Sequence, residues 1–276
     1  MSATVQAPGP VLVGVDGSGR NASAVAWAAA EARSSSAPLV LVHDATGAGE
    51  RAGRATLERA VAAVADVDSG LRPAVEMVTR SASEALVEAA RVRETGEVDS
   101  GQESLLVVGR RGAGGFTRLS LGSTARALVH GDGPPTIVVP SDWELERVAP
   151  RAPVVVDLTA DEGDRALGFG VARAARDDRP LVVLASWSVG PAEVLADQPI
   201  PKVWEDHARQ AEQELRGRLG PWCASHPGLE VVALATDRHP VAALLDQAVG
   251  AELLVVPRGR SAFAVVEYAQ CPVAVV

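Results

Sequence analysis

Lysine is almost missing from this chain. Lys202 is the only one among 276 residues, and arginine supplies the rest of the 26 basic side chains. Aromatic residues make up only 3%, so a core has to be assembled from alanine, valine and leucine. Cysteine occurs twice, at Cys223 and Cys271. Two thiols make no disulfide framework in a chain of this size and lack metal-ligand spacing, which fits ordinary thiols in a reducing cytoplasm. No run approaches the roughly 18 uninterrupted apolar residues of a membrane span. Met1–Pro10 has neither a basic n-region nor an apolar h-region, so no signal peptide is expected. A basic excess is also lacking: 35 acidic side chains outnumber the basic ones, for a net charge of −9. Nucleic-acid binding needs fields of Lys and Arg against phosphate, so it is disfavoured here. Any phosphate site must be local and built from backbone amides.

What is present is globular: 47% hydrophobic and 22% charged residues. At roughly 100–200 residues per domain, the length points to two domains or one large one. An internal repeat supports two. Ala24-Val-Ala-Trp-Ala is echoed by Ala166-Leu-Gly-Phe-Gly, Pro38-Leu-Val-Leu-Val by Pro180-Leu-Val-Val-Leu, Leu105-Leu-Val-Val by Leu253-Leu-Val-Val, and Pro135-Thr-Ile-Val-Val by Pro272-Val-Ala-Val-Val. The four landmarks recur in one order, so the chain divides into residues 1–146 and 147–276.

Each half alternates strand and helix. In the first, strands are expected at Val11–Val15, Leu39–His43, Ala74–Thr79, Leu105–Val108 and Thr136–Val139, and helices at Ser23–Ser34, Thr56–Val67, Ser83–Val92 and Thr124–Val129. In the second, strands are expected at Pro153–Asp157, Leu181–Ala185, Leu229–Ala235, Leu253–Val256 and Val273–Val276. The helices there are Gly163–Arg176, Lys202–Leu219 and Pro240–Ala248. Short, wholly apolar strands between helices imply an α/β fold with a parallel sheet covered on both faces. Arg93–Glu103 reads as an exposed loop and the proline-bearing Trp187–Pro201 as an irregular connection.

One motif carries chemistry. After the fourth strand comes Gly109-Arg-Arg-Gly112, then nine residues, then Gly122-Ser123-Thr124: a G-x2-G-x9-G-S pattern. Ligands of open α/β sheets bind beyond the carboxyl ends of the strands. Glycines there let amides approach a phosphate, and Gly122-Ser123-Thr124 opens a helix whose free N–H groups favour an anion. A Walker loop needs a lysine that is absent, and Asp16-Gly17-Ser18-Gly19 after the first strand does not match the dinucleotide fingerprint.

Val13-Gly14-Val15-Asp16-Gly17-Ser18, the strand ending in Val42-His43, and the glycine motif together resemble the universal stress protein family, in its ATP-binding branch. The resemblance implies two tandem doubly wound, five-stranded parallel-sheet domains in a cytoplasmic stress-response regulator that is not an enzyme. By that resemblance Gly14 and Asp16 lie beside adenine and ribose, and the backbone around Asp44 contacts adenine. Val108 and Gly109 border the ribose, and Gly112, Gly122, Ser123 and Thr124 hold the phosphates. Asp16 has a second role open to it, orienting a Mg²⁺ on the phosphates, because carboxylate oxygens suit that ion. ATP is the expected ligand ahead of cyclic AMP. A regulatory protein partner is implied, without nucleic acid or membrane, together with pairing of the two halves or a homodimer. Slow ATP hydrolysis and a nucleotide-independent interaction scaffold are the alternatives.

The second half departs from the pattern. Pro257 stands where Gly109 stands, Arg260 where Gly112 stands, and the long loop with its Gly-Ser is absent. Pro257 also lacks an N–H donor. Asp157 replaces Asp16 if a one-residue gap is allowed. The second domain is therefore expected not to bind ATP in the family manner, but to serve structural pairing or partner recognition.

Overall fold

The computed structural model describes residues 9–47, 49–94, 103–112, 121–159, 163–189 and 200–276. The chain forms two compact units. The first takes the residues up to Arg147 together with Pro272–Val275, and the second takes Val148–Cys271 and Val276.

In the first unit, five strands run β1 (Val11–Val15), β2 (Leu39–Asp44), β3 (Ala74–Val78), β4 (Leu105–Gly109) and β5 (Thr136–Val139). They line up in the order β3-β2-β1-β4-β5, every neighbouring pair parallel. The helices α1 (Ala22–Ser35), α2 (Gly49–Val67), α3 (Ala82–Glu94) and α4 (Ser123–His130) fill the crossovers. α1 packs with α2 and α3 with α4, giving two helical layers against the sheet. The order reverses at β1/β4, which makes the carboxyl edge of those strands the topological switch point.

β1, β2, β4 and β5 are apolar and buried because helices cover both faces. β3 is an edge strand, and its covering is incomplete: Val75 is 52% exposed. α1 ends where Ser36 adopts a left-handed conformation (φ 56°) and its N–H caps the carbonyls of Ala32 and Arg33. α2 begins at Gly49, a full seven residues before the expected Thr56, because Gly53 and Thr56 are buried and extend its packed face.

The second unit repeats the plan with β6 (Val154–Asp157), β7 (Leu181–Ser186), β8 (Val231–Thr236) and β9 (Leu253–Val256), in the order β9-β6-β7-β8, all parallel. Its helices are α5 (Asp164–Arg176), α6 (Ile200–Ser225), α7 (Pro240–Gln247) and α8 (Arg260–Tyr268). The fifth strand of the second repeat, β10 (Val273–Val275), joins the first unit and pairs antiparallel with β5. This pairing satisfies the outer backbone groups of β5, which would otherwise be a bare apolar edge.

α6 passes through Pro221, beyond the expected end at Leu219. One lost N–H is tolerated because Leu215 and Leu219 are buried and the Trp222 ring lies against Gly168 of α5. α8 was not expected from the sequence. Its buried Ala262, Val265 and Val266 have helical spacing, but the stretch is short and follows a glycine. Residues 95–102 and 190–199, and with them most of the two expected irregular connections, lie outside the described residues. No helix among the described residues is long and apolar enough to cross a membrane.

Both thiols are free, Cys223 exposed and Cys271 buried. Burial pushes the Cys271 thiol up to about 12, so almost no thiolate exists there at neutral pH. Alkylation of the native protein followed by mass spectrometry is expected to add one label, at Cys223. Cys271 should react only after denaturation.

Candidate functional site

The carboxyl ends of β1, β2 and β4 bring the sequence candidates to one edge. β1 ends at Val15, opposite His43 of β2, so Asp16 and Asp44 leave the sheet side by side in sequence register. Asp16 is held by its own turn. Its Oδ1 accepts hydrogen bonds from the Ser18 N–H at 2.9 Å and the Ser18 hydroxyl at 2.7 Å. Gly17 makes that turn possible with φ 73°, and a Cβ there would also collide with Thr56 Oγ1. The other carboxylate oxygen of Asp16, Oδ2, is buried without a hydrogen-bond partner among the described residues. A buried acceptor left in that state costs free energy until a donor or cation reaches it.

Gly112 lies directly against that oxygen: a Cβ built on Gly112 would stand 3.0 Å from Asp16 Oδ2. The glycine loop is closed at its base by the Gly122 N–H, which donates to the Arg110 carbonyl at 2.8 Å, while the Arg110 N–H donates to Val139 at 2.8 Å. Residues 113–120 lie outside the described residues.

Gly122 is the N-cap of α4, with φ −64° and ψ 156° and no side-chain cap. The first hydrogen bond of the helix runs from Arg126 N–H to the Gly122 carbonyl. The N–H groups of Ser123, Thr124 and Ala125 therefore have no acceptor within the helix and sit at the positive end of its dipole. Ser123 is exposed and Thr124 half-buried.

Val108 and Gly14 border the switch point from within. A Cβ on Gly14 would meet Leu86 Cδ1 at 3.2 Å and Val108 Cγ1 at 3.5 Å. Gly109 lies against Asn21, whose Cβ would be 3.2 Å from a Cβ on Gly109. Asp44 Oδ1 accepts from the Thr46 N–H at 2.8 Å and from the Thr46 hydroxyl, which fixes the turn at the β2 end.

Three contributors escaped the sequence candidates. Asn21 donates from Nδ2 to the Gly14 carbonyl at 2.6 Å and so ties α1 to β1 beneath Gly109. His43 is buried, with Nδ1 2.6 Å from the Val15 carbonyl; the ring donates that bond and anchors the peptide just before Asp16. An asparagine opening a helix after Gly19-Arg20 was a visible signal for the first; no spacing signalled the second. The third is Arg110, with its side chain only 12% exposed and 3.6 Å from Asp142. Burial, partly offset by Asp142, lowers its guanidinium pKa.

The equivalent edge of the second unit is built differently. The Val11 N–H donates to the Pro38 carbonyl and the Val154 N–H to the Pro180 carbonyl, so Val154 occupies the place of Val11. Counting on, Asp157 takes the position of Gly14, and Thr159 that of Asp16. The expected substitution of Asp157 for Asp16 is therefore corrected: no gap is needed, and Asp157 stands at the backbone position of Gly14. Arg258 donates to Val276 as Arg110 does to Val139, which puts Pro257 at Gly109. Only residues 257–259 separate β9 from α8, whereas residues 110–122 separate β4 from α4. A tight turn stands in place of the glycine loop.

Asp157 is 3% exposed. Burial pushes its carboxyl up, and hydrogen bonds from the Thr159 hydroxyl and N–H offset part of that. Such a group favours the folded state while protonated, below its unfolded pKa, and that contribution is lost as pH rises through the raised folded value. Asp157→Asn is expected to stabilise the protein at neutral pH and to lose that advantage near about pH 4, where a free carboxyl is itself protonated. Urea midpoints at the two pH values check this.

A family model for the universal stress protein family matches residues 9–140. A universal stress protein of Mycolicibacterium smegmatis is 29% identical over 274 residues, covering 92% of this chain and 88% of that protein. One from Mycobacterium tuberculosis is 28% identical over 298 residues, covering 96% and 94%. Among solved structures, a universal stress protein from Archaeoglobus fulgidus shares the fold at a TM-score of 0.63 and 13% identity, over 96% of this chain and 97% of that one. Residues 9–140 form a universal stress protein domain, in a chain that is similar to universal stress proteins over most of its length.

Proposed function

We propose that the chain is a stress-response regulatory protein that binds ATP at the carboxyl edge of its first unit, one nucleotide per chain. In this reading residues 1–146 are the nucleotide domain, and residues 147–276 are a domain without a phosphate site that serves structure or partner recognition. The observation that carries it is the conformation of Gly122. Its φ and ψ are open to any residue, and a Cβ there would make ordinary contacts at 3.4 Å or more. The fold does not require glycine at 122. What the missing side chain keeps clear is the Gly112 amide, the atom that a Cβ would cover first.

The surrounding groups fit a nucleotide. The amides of Gly112, Ser123 and Thr124 suit phosphate oxygens. The unpartnered Asp16 Oδ2 suits a ribose hydroxyl, or a Mg²⁺ shared with the phosphates. Among the described residues no group of three His, Cys, Asp or Glu gathers to hold an ion, so a cation would depend on the phosphates for its other ligands. In this reading Val108 and Gly109 border the ribose, and the Asp44 backbone borders the base.

The test is release of nucleotide from purified, denatured protein, identified by chromatography, together with calorimetric titration of ATP and cyclic AMP in Mg²⁺. ATP bound at or below the micromolar range supports the proposal. No released nucleotide and no heat of ATP binding would sink it.

A further inference from the structure

Aromatic side chains are scarce in this chain, yet two of its five tryptophans meet at the carboxyl edge of the second unit. Trp187 follows β7, and Trp204 lies in the first turns of α6. Their ring centroids are 6.1 Å apart in an edge-on arrangement, and His207 stacks on Trp187 at 6.3 Å with 15° between the planes. The Trp204 indole N–H donates to Asp237 Oδ2 at 3.2 Å, which fixes the ring's orientation.

The backbone shows what this place corresponds to. The Trp187 N–H donates to the Thr236 carbonyl at 2.8 Å, as the Ala45 N–H donates to the Val78 carbonyl at 2.9 Å. Trp187 therefore stands at the position of Ala45, and Ser186 at that of Asp44. The second unit lacks the glycine loop and carries indole rings at the same edge.

Packing alone does not account for Trp204. The core tryptophans Trp27 and Trp143 are 3% and 9% exposed, whereas Trp204 is 38% exposed. Leaving indole surface in water forgoes about 25 cal/mol per Å² of apolar area. One residue before Trp187, Ser186 Oγ is buried without a hydrogen-bond partner among the described residues. Asp237 places a carboxylate at the rim of the rings, and a three-residue turn leaves nothing to cradle a phosphate.

We propose that the carboxyl edge of the second unit is a separate binding site for a planar heteroaromatic compound without phosphate, of the nucleoside or nucleobase class, stacked on Trp204. Aromatic faces accept any such ring, because stacking depends on the π-surface rather than on a hydrogen-bond code. Ser186 Oγ, without a hydrogen-bond partner among the described residues, is a polar group available at the same edge. The site is independent of ATP binding in the first unit.

The test titrates the full-length protein with adenosine, guanosine and riboflavin by calorimetry, comparing wild type with Trp204→Ala and Trp204→Phe. At least one probe is expected to saturate. Its affinity should fall about tenfold or more in Trp204→Ala and return largely in Trp204→Phe, with unchanged thermal midpoints, as stacking losses predict. No saturable binding of any probe up to about 5 mM, weaker than the useful range of such contacts, overturns the proposal. So does equal affinity in Trp204→Ala, since the probe would then reside elsewhere. Neither result bears on ATP binding at Gly112 and Gly122.

Discussion

Gly122→Asp will reduce ATP affinity by about 100-fold or more while leaving the fold nearly as stable as before. The loss has two sources. The new side chain covers the Gly112 amide, and its charge faces the phosphates at the helix end where an anion was meant to sit. Hydrogen bonds to a charged group are worth about 1.5–3 kcal/mol each, so losing two reaches that figure. The fold is spared because φ −64° and ψ 156° are ordinary for aspartate, and aspartate is itself a good N-cap. Gly122→Ala separates the two sources by adding the Cβ without the charge, and should fall between. Calorimetric titration gives the affinities and a thermal melt gives the stability. ATP affinity unchanged in Gly122→Asp would move the nucleotide away from this loop. A large fall in the melting midpoint would show that the glycine serves the fold after all.

The second large effect concerns stability. Arg173 on α5 is 10% exposed and joins two acids: Nη2 lies 2.6 Å from Glu252 Oε1 and Nε lies 2.7 Å from Asp177 Oδ2. Glu252, 9% exposed, immediately precedes β9, and its N–H donates to Pro153 before β6. The guanidinium therefore ties the end of a helix to the start of the central strands. Arg173→Ala leaves a buried carboxylate without its principal countercharge, which costs about 3–5 kcal/mol. Adding Glu252→Gln to that variant should recover part of the loss, because the more buried of the two carboxylates is then neutral and Asp177 keeps Arg176 as a partner. Urea denaturation of the single and double variants measures both steps. Equal stability of wild type and Arg173→Ala would mean that water already screens the pair.

The same network has a pH signature. Burial alone would raise the Asp177 carboxyl, but the Arg176 hydrogen bond and the charges of Arg173, Arg176 and Arg179 outweigh it and hold the carboxyl below the usual range. A depressed carboxyl contributes stability above its unfolded pKa and loses it as pH falls through the folded value. Acid should therefore erode wild type more than Arg173→Ala.

Much of the fold was legible because its signals are local. Val11–Val15 and Leu105–Gly109 are buried on both faces and so carry no polar residue to confuse the pattern. Four repeated landmarks exposed the duplication. Helix limits were less legible. α2 starts with a polar turn whose buried positions, Gly53 and Thr56, do not look apolar, and α6 continues through a proline because tertiary contacts on Leu215, Leu219 and Trp222 hold it.

The site divides in the same way. The proposed phosphate loop is a spacing of glycines along one segment, so Gly109, Gly112 and Gly122 stand out as candidates from the sequence. The groups that steady it, Asn21 and His43, come from other segments and act through single backbone carbonyls, which leave no spacing behind.

By itself the sequence determined the repeat, the strand order within each copy's text, and the loss of the glycine loop from the second copy, because each is a local pattern of apolar runs and glycines. Only the tertiary structure decided which residues face one another across the sheet. It put Asp157 in the place of Gly14, left Asp16 Oδ2 without a partner beside Gly112, paired β10 with β5, and assembled Trp187 with Trp204. Register and side-chain proximity arise from parallel pairing of strands far apart in the chain, and no local pattern encodes that distance.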